Sequence, residues 1–479
     1  DNPMGYSAGE IKYRFQWTYP IAISPNDPNT LYAAAQVLFR SRDEGEHWQV
    51  ISPDLTRHDP RTLGASGGPI TKDQTSIEYY GTIFAVAESP VAKGEIWTGS
   101  DDGQIHLTRN GGTSWSNVTP KDMPEWMRIS IIEPSHHAAG TAYVAANRYQ
   151  MDDMHPYLYK TTDFGQHWTS IVAGIPDSEF TRTIREDPDR RGLLYAGTER
   201  RVWMSFDDGG HWQSLKRNLP LVPVHDLAVK DGDLIAATHG RGFWILDDIS
   251  PLRQIDTSVV SHEAWLFAPR PVYDATFRGG ASNGAQQGAG APRAANPPSG
   301  ALVYYWLDSP HKPVTLEFLD ARGKVIRTFH SKVDSAKSRS DSAKDSTAAK
   351  GDSASEDEES SELPTRKEPT VANKAGLNRF AWNLRYPDPV SFHGMVLWAG
   401  LPVGARVLPG TYAVRLTVDG RSQTQHFVVR ADPRSHDTAA DLAAQFALLT
   451  RVTDTISAAN NAVRTIRNVR TQLAQRDSV

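Results

Sequence analysis

From residue 10 to residue 252, apolar and polar positions alternate in short runs broken by Pro, Asp, Asn and Gly. A period of two punctuated in this way predicts β-strands joined by hairpin turns. The runs recur in pairs, a first apolar strand and then a second strand carrying small or aromatic residues. The pairs are Ile21-Ala-Ile23 before Leu31-Tyr32, Phe84-Ala-Val86 before Ile96-Trp97, Ile131-Ile132 before Ala142-Tyr143, Thr183-Ile184 before Leu194-Tyr195, and Asp226-Leu227 before Leu234-Ile235. Five units of three or four strands each are expected.

An octet punctuates the first four units. It reads Ser/Thr-x-Asp/Asn-x-Gly-x-x-Trp, with Asp43, Gly45 and Trp48; Asn110, Gly112 and Trp115; Asp163, Gly165 and Trp168; and Asp207, Gly209 and Trp212. Its first residues, Ser41, Thr108, Thr161 and Ser205, are 67, 53 and 44 positions apart. Four such octets so close together mark a repeat array. A shift of 40 residues aligns Leu194–Thr198 with Leu234–Thr238 and Asp207-Asp208 with Asp247-Asp248, where Ile249-Ser-Pro251 replaces the Gly-x-x-Trp ending. The fifth unit is therefore a degenerate last blade. Within the octet the carboxylate or amide is expected to accept turn N–H groups, Gly to supply a positive φ, and Trp to pack on the sheet beneath. The role is structural, not that of a catalytic or calcium-binding carboxylate array. Small antiparallel sheets repeated radially describe a β-propeller.

The pattern then changes. Residues 253–300 read as a linker with a Gly/Ala/Pro-rich loop, including Gly288–Pro292 and Asn296–Ser299. Strand-like alternation resumes at Leu302–Trp306, Val314–Phe318, Val325–Phe329, Asn378–Leu384, Gly410–Val418 and Gln425–Arg430, which predicts a β-sandwich over 301–432. The stretch 331–370, ending near Glu356-Asp-Glu-Glu359, has too few apolar residues to offset the entropy of ordering and is expected to be a disordered insertion.

Over 436–476 the period becomes helical, with Leu442, Phe446, Leu449, Val452, Ile456, Ala459, Val463, Ile466, Val469 and Leu473 at steps of three and four. Thr438 and Asp441 suit a capping pair, and Asn460-Asn461 leaves open a break into a hairpin. This amphipathic stripe needs a partner. Leu449, Ile456 and Val463, with the basic row Arg464, Arg467 and Arg470, are its candidate partner contacts.

Composition narrows the chemistry. With 51 Lys and Arg against 56 Asp and Glu, the 479-residue chain lacks the cationic field that nucleic acid binding requires. It has no cysteine, which removes disulfides, thiolate metal sites and cysteine nucleophiles. No apolar run is long enough to span a membrane. Asp1-Asn2-Pro3-Met4 is most simply the start of a processed or truncated product of something longer. No cofactor is expected, because nucleotide-binding loops, nucleophile elbows and His-Glu-x-x-His are missing. His136-His137 and Asp152, Asp153 and His155 read as turn residues, so no metal site is assigned. Thr238–Gly242 reads as glycine-driven backbone geometry, and Tyr13-Arg14-Phe15 as the start of a strand.

The octets look like the Asp boxes of bacterial neuraminidase-type (BNR) repeats, and the continuous pattern resembles bacterial sortilin-like propeller proteins, often labelled glycosyl hydrolases. The resemblance covers residues 10–252 and implies blades of a larger ring, with a small closed five-bladed ring as the alternative. Pro409–Leu416 is similar to the immunoglobulin- or fibronectin-like domains that follow such propellers. An exported, periplasmic and membrane-peripheral location is implied by the same resemblance. Without a catalytic constellation, the expectation is a non-enzymatic scaffold of the envelope that binds other proteins through the propeller edge and C-terminal helix, as an accessory subunit of a membrane-associated complex. The alternative is a sialidase-like glycoside hydrolase acting on glycans. Those enzymes need arginines, a Tyr nucleophile with a Glu partner, and an acid/base Asp, and their Arg-Ile-Pro signature is absent here.

Overall fold

The computed structural model describes residues 5–72, 77–275, 298, 300–332, 368–392, 394–396 and 402–476. The chain divides into two compact units, Asp1–Ile249 and Ser250–Val479.

The first unit is a run of β-propeller blades. Four antiparallel sheets of four strands begin at Ile21–Ser24, Ile83–Glu88, Arg128–Pro134 and Thr181–Glu186, and a fifth of three strands begins at Val224–Lys230. Strand order within each sheet follows the sequence, as hairpin connections require. The first strands of successive sheets pack against one another, so they form the inner wall and the later strands fan outward.

Each outer strand is two residues long, as in Gln49–Val50 and Ser116–Asn117, because it immediately follows the octet turn. The fifth sheet ends at Phe243–Leu246, and a helix starts at Ser250 where an octet would have finished. Residues 13–15, read as the start of a strand, lie outside the sheets. Tyr13 and Phe15 instead cover Phe39 with edge and stacked contacts at 4.9 and 6.2 Å.

Blade-to-blade cores explain the alternation. One side of a sheet meets the previous blade and the other meets the next, so both faces carry apolar residues. Tyr143, Ala145 and Leu158 of the third blade share a core with Ile184, Leu194 and Ala196 of the fourth. Gly99 and Gly197 occupy tight points on the second strands, where an added Cβ would come within 2.3 Å of Ile129 and 2.7 Å of Thr183.

The second unit contains a three-stranded sheet ordered Ala264–Leu266, Ala301–Leu307, Gly376–Trp382, and a five-stranded sheet ordered Val272–Asp274, Arg421–Ala431, Gly410–Val418, Val314–Leu319, Val325–His330. Residues of both sheets share one core around Phe318 and Trp382, whose rings stack at 4.4 Å. The stretch 253–300 is thus more than a linker. It supplies a short helix, Thr257–Ser261, and a strand to each sheet, one pairing parallel with Val429–Ala431. Three-residue strands are too short for alternation to be legible in the sequence. Gly288–Pro292, Glu356–Glu359 and nearly all of the 331–370 insertion lie outside the described residues.

The C-terminal segment is one continuous helix, Ala439–Arg476, of 38 residues. Thr438 and Asp441 cap it reciprocally: Thr438 N donates to Asp441 Oδ2 at 3.1 Å, and Asp441 N to Thr438 Oγ1 at 3.2 Å. Asn460 does not break the helix. It is buried and donates to the Val390 carbonyl at 2.6 Å.

Candidate functional site

The octets behave as turn locks. In the first, Ser41 Oγ accepts from Gly45 N at 2.9 Å and donates to Asp43 Oδ1, which accepts from His47 N at 2.9 Å. Asn110, Asp163 and Asp207 repeat the arrangement with Ser114, His167 and His211. Hydrogen bonds from the His47 and His167 backbone and ring hold Asp43 and Asp163 near pKa 2; at Asp207 burial opposes, but His211 brings it to about 2 as well. Gly45, Gly112, Gly165 and Gly209 all have positive φ.

The tryptophans do more than pack on their own sheets. Trp115 Nε1 donates to Ile51 O at 2.9 Å, Trp168 to Val118 O at 2.7 Å and Trp212 to Ile171 O at 2.6 Å, each acceptor lying just past the outer strand of the preceding blade. The octet is therefore an interblade staple. Trp48, in the first blade, is exposed.

On the helix, Leu449, Arg464 and Arg470 are exposed, whereas Ile456 and Val463 are half-buried on the side of Asn460. Arg467 lies over the Phe392 ring at 4.6 Å, so its planar face is already engaged within the chain. The remaining polar candidates have local partners. His137 Nε2 meets Asp187 O at 3.0 Å, Asp153 pairs with His155 at 2.9 Å, and Thr238 closes a tight turn onto Gly242 O.

The octet turns join third and fourth strands. Because strand direction alternates, the opposite face collects the second-to-third loops and the connections between blades. There the structure gathers a cluster that motif searching missed. The connection from Ile51 to Thr82 carries Asp54, Arg57 and Tyr80, the turn after Ser100 carries Asp101 and Asp102, and the approach to Arg128 carries Glu125 and Trp126. Arg14 fastens it from below. Its Nε donates to Gly81 O at 2.9 Å, and its Nη2 to Asp54 Oδ2 at 2.9 Å and Thr56 Oγ1 at 3.1 Å.

The three aspartates are placed differently. Asp101 is spent on the loop: it accepts Gly81 N, Thr82 N and Thr82 Oγ1 at 3.0, 2.8 and 2.9 Å. Burial nonetheless lifts its pKa to about 7. Burial also raises Asp102 from its usual value, against bonds from Ser100 Oγ and Arg57 N, with the Asp54 charge adding to the rise. Asp54 goes the other way. Burial would raise it, but Thr56 and Arg14 hold it below its usual value, and its Oδ2 is 2.9 Å from His58 Nδ1. Gly81, at φ +76°, lies between Arg14 and Asp102, since a Cβ there would lie 3.6 Å from Arg14 Nε and 3.7 Å from Asp102 Oδ2.

An aromatic shelf borders these carboxylates. Trp126 lies 4.8 Å beneath the Arg57 guanidinium and stacks with Tyr80 at 6.5 Å. It takes φ +60°, and His58 takes +50°. Left-handed backbone is costly for residues of this size, and such strain collects at binding and catalytic sites. The shelf continues along the inner wall, where Arg128 lies between Phe84 and Tyr149 and Arg182 sits over Tyr149 and Phe180. Bulges in successive inner strands leave Phe84, Ser130, Arg182 and His225 out of the pairing ladder. Two open hollows of about 540 and 500 Å³ lie on the octet face, lined by Trp115 and by Lys160 and Asp208. Size alone would favour them, but they are interblade grooves, and the carboxylates with oppositely shifted proton affinities lie on the other face.

No protein-family profile matches this chain. It is similar to an oligoxyloglucan-reducing end-specific xyloglucanase of Emericella nidulans, 24% identical over 164 residues, which are 32% of this chain and 18% of that enzyme. The chain therefore spans less than a fifth of that relative's length. Among solved structures it is similar to the GH74 xyloglucanase from Xanthomonas campestris, with 21% identity, 49% of this chain and 37% of that one covered, and a TM-score of 0.37. It is also similar to YCF48 from Cyanidioschyzon merolae, with 16% identity, 35% and 53% covered, and a TM-score of 0.28. These comparisons overturn the expectation of a non-enzymatic envelope scaffold, since the curated sequence relative is a glycan-cleaving enzyme.

Proposed function

We propose that the chain is part of a glycoside hydrolase whose glycan lies across the Tyr80–Trp126 shelf. The observation that carries this reading is the pair Asp102 and Asp54, whose environments push their proton affinities in opposite directions, with Arg14 bonded to both Asp54 and the Gly81 carbonyl. Two carboxyl groups so divided are the acid and base that glycoside hydrolysis needs. Asp102, whose hold on a proton burial strengthens, gives that proton to the glycosidic oxygen as the anomeric C–O bond breaks. Asp54, kept ionised, takes a proton from the water that adds to the anomeric carbon. Flat apolar ring faces suit the C–H face of a pyranose, and Arg57 and Glu125 at the rim supply hydroxyl partners. Asp102 is buried beneath Arg57, whose N and Nε bond its carboxylate and carbonyl, so the Arg57 side chain has to lift for a glycosidic oxygen to reach the acid.

The xyloglucanase relative supports a β-glucan of xyloglucan type as the first substrate to test. The test is release of new reducing ends from xyloglucan oligosaccharides by the native chain, Asp102→Asn and Asp54→Asn. The native chain should cleave and each variant should lose at least about a hundredfold in rate, the scale of general acid–base assistance. Unaltered cleavage by both variants would remove the assignment.

A further inference from the structure

Arg128 begins the first strand of blade three, which has blade two on one side and blade four on the other. Its guanidinium lies 5.0 Å from the Phe84 ring of blade two and 5.9 Å from the Tyr149 ring of its own blade. Aromatic contacts of this kind hold the plane of the cation and take part of its hydration away.

Arginines around it have carboxylate partners. Arg14 pairs with Asp54 at 2.9 Å, Arg57 with Glu125 at 3.7 Å, Arg148 with Asp153 at 3.7 Å and Arg182 with Glu199 at 2.6 Å. Arg128 differs. Among the described residues nothing accepts from its guanidinium: Nε is buried without a partner, and the two Nη nitrogens are neither buried nor hydrogen-bonded. Asp101 feels the Arg128 charge, but its oxygens are taken by Gly81 N, Thr82 N and Thr82 Oγ1. A cation partly stripped of water and left unpaired costs free energy that a bound anion would recover. Its place in the chain says what carries that anion. Arg128 is two residues beyond Trp126 and Phe84 is four beyond Tyr80, so the guanidinium and its ring extend the shelf that Tyr80 and Trp126 form.

We propose that Arg128 sets a specificity for acidic glycans: its two Nη–H groups donate to the carboxylate of a uronate sugar that neighbours the sugar on the Tyr80–Trp126 shelf. The assignment rests on the reading of that shelf as the glycan platform. Paired N–H groups held in one plane match the two oxygens of a carboxylate. With a net charge of -5 the chain has no general attraction for anions, so a preference for the acidic sugar has to come from a local cation.

Titration calorimetry on the full chain compares xyloglucan oligosaccharides with the same oligosaccharides oxidised at their primary hydroxyls to uronates, in an Asp102→Asn background so that nothing is cleaved. The uronate form should bind about tenfold or more tighter, the worth of a charge-assisted hydrogen bond. That preference should shrink as salt is raised and vanish when Arg128→Met is added. Arg128→Lys, which keeps the charge without the fork, should retain only part of it, and its folding is checked beside that of Arg128→Met by far-UV circular dichroism. Equal affinity for the two forms would overturn the role of Arg128 while leaving the glycan shelf in place, whereas binding of neither form would overturn both. A preference that survives Arg128→Met, or one indifferent to salt, would also overturn it, by assigning the uronate to another group or to shape alone.

Discussion

The indole nitrogen of Trp168 lies 2.7 Å from the carbonyl oxygen of Val118, fifty residues earlier and in the preceding blade. The octet that locks its own turn also clasps the neighbouring sheet, and the two roles can be separated by mutation. Trp168→Ala should cost about 3–5 kcal/mol, through lost ring burial and an unpaired carbonyl. Trp48→Ala, which severs no staple, should cost under about 1 kcal/mol. Urea denaturation of the two variants measures both, and equal losses would show that the ring acts only within its own blade.

The same division applies to the octet glycines, which share a positive φ but not their neighbours. A Cβ at Gly112 would come within 2.6 Å of Ile51 O in the preceding blade, whereas at Gly45 it would find only the Trp48 ring at 3.6 Å. Gly45→Ala should therefore show backbone strain alone, about 1 kcal/mol. Gly112→Ala should fall further in melting temperature, because a carbonyl must move.

Acid should loosen the array through its turn carboxylates. Asp43, Asp163 and Asp207 have folded pKa values near 2, below the ordinary value of 3.8. A depressed folded pKa contributes stability that is present above the unfolded value and is lost as pH falls through the folded one. The part of the urea midpoint these three supply should be flat from pH 7 to about 5 and then fall between about pH 4 and 2, whereas Asp101, raised to about 7, adds stability as pH falls from 7 toward 4. Asp163→Asn, still an acceptor but not titratable, should flatten part of that descent.

The array was legible because its signals are local and repeated, as with Asp43, Asn110, Asp163 and Asp207 holding identical turns. The site was not, because Arg14, Asp54, Gly81 and Asp102 come from four separate places and only the ring brings them together. One clue was available. The first two octets are 67 residues apart against 53 and 44 for the others, and the long connection responsible carries Asp54, Arg57 and Tyr80. Asn460-Asn461 misled in the opposite direction: as polar residues in an apolar stripe they read as a break, whereas the buried Asn460 amide bonds Val390 O across the unit.

Asn460→Leu keeps the volume but removes that bond, leaving the Val390 carbonyl to lose its partner. It should destabilise the second unit by about 1–3 kcal/mol. Hydrogen exchange should show faster opening at residues 388–392, with the turns around Asp163 and Asp207 unchanged.

The central claim is that Asp102 and Asp54 divide the work of acid and base. Activity needs Asp102 protonated and Asp54 ionised, so the rate should rise as pH climbs through the lowered pKa of Asp54 and fall as it passes the raised pKa of Asp102. The most direct measurement is the pH profile of xyloglucan oligosaccharide cleavage by the native chain and by Asp102→Asn. The account predicts a bell whose alkaline limb disappears, with most of the rate, in the variant. A native chain that cleaves no glycan at any pH, or a variant that keeps the full bell, would contradict it.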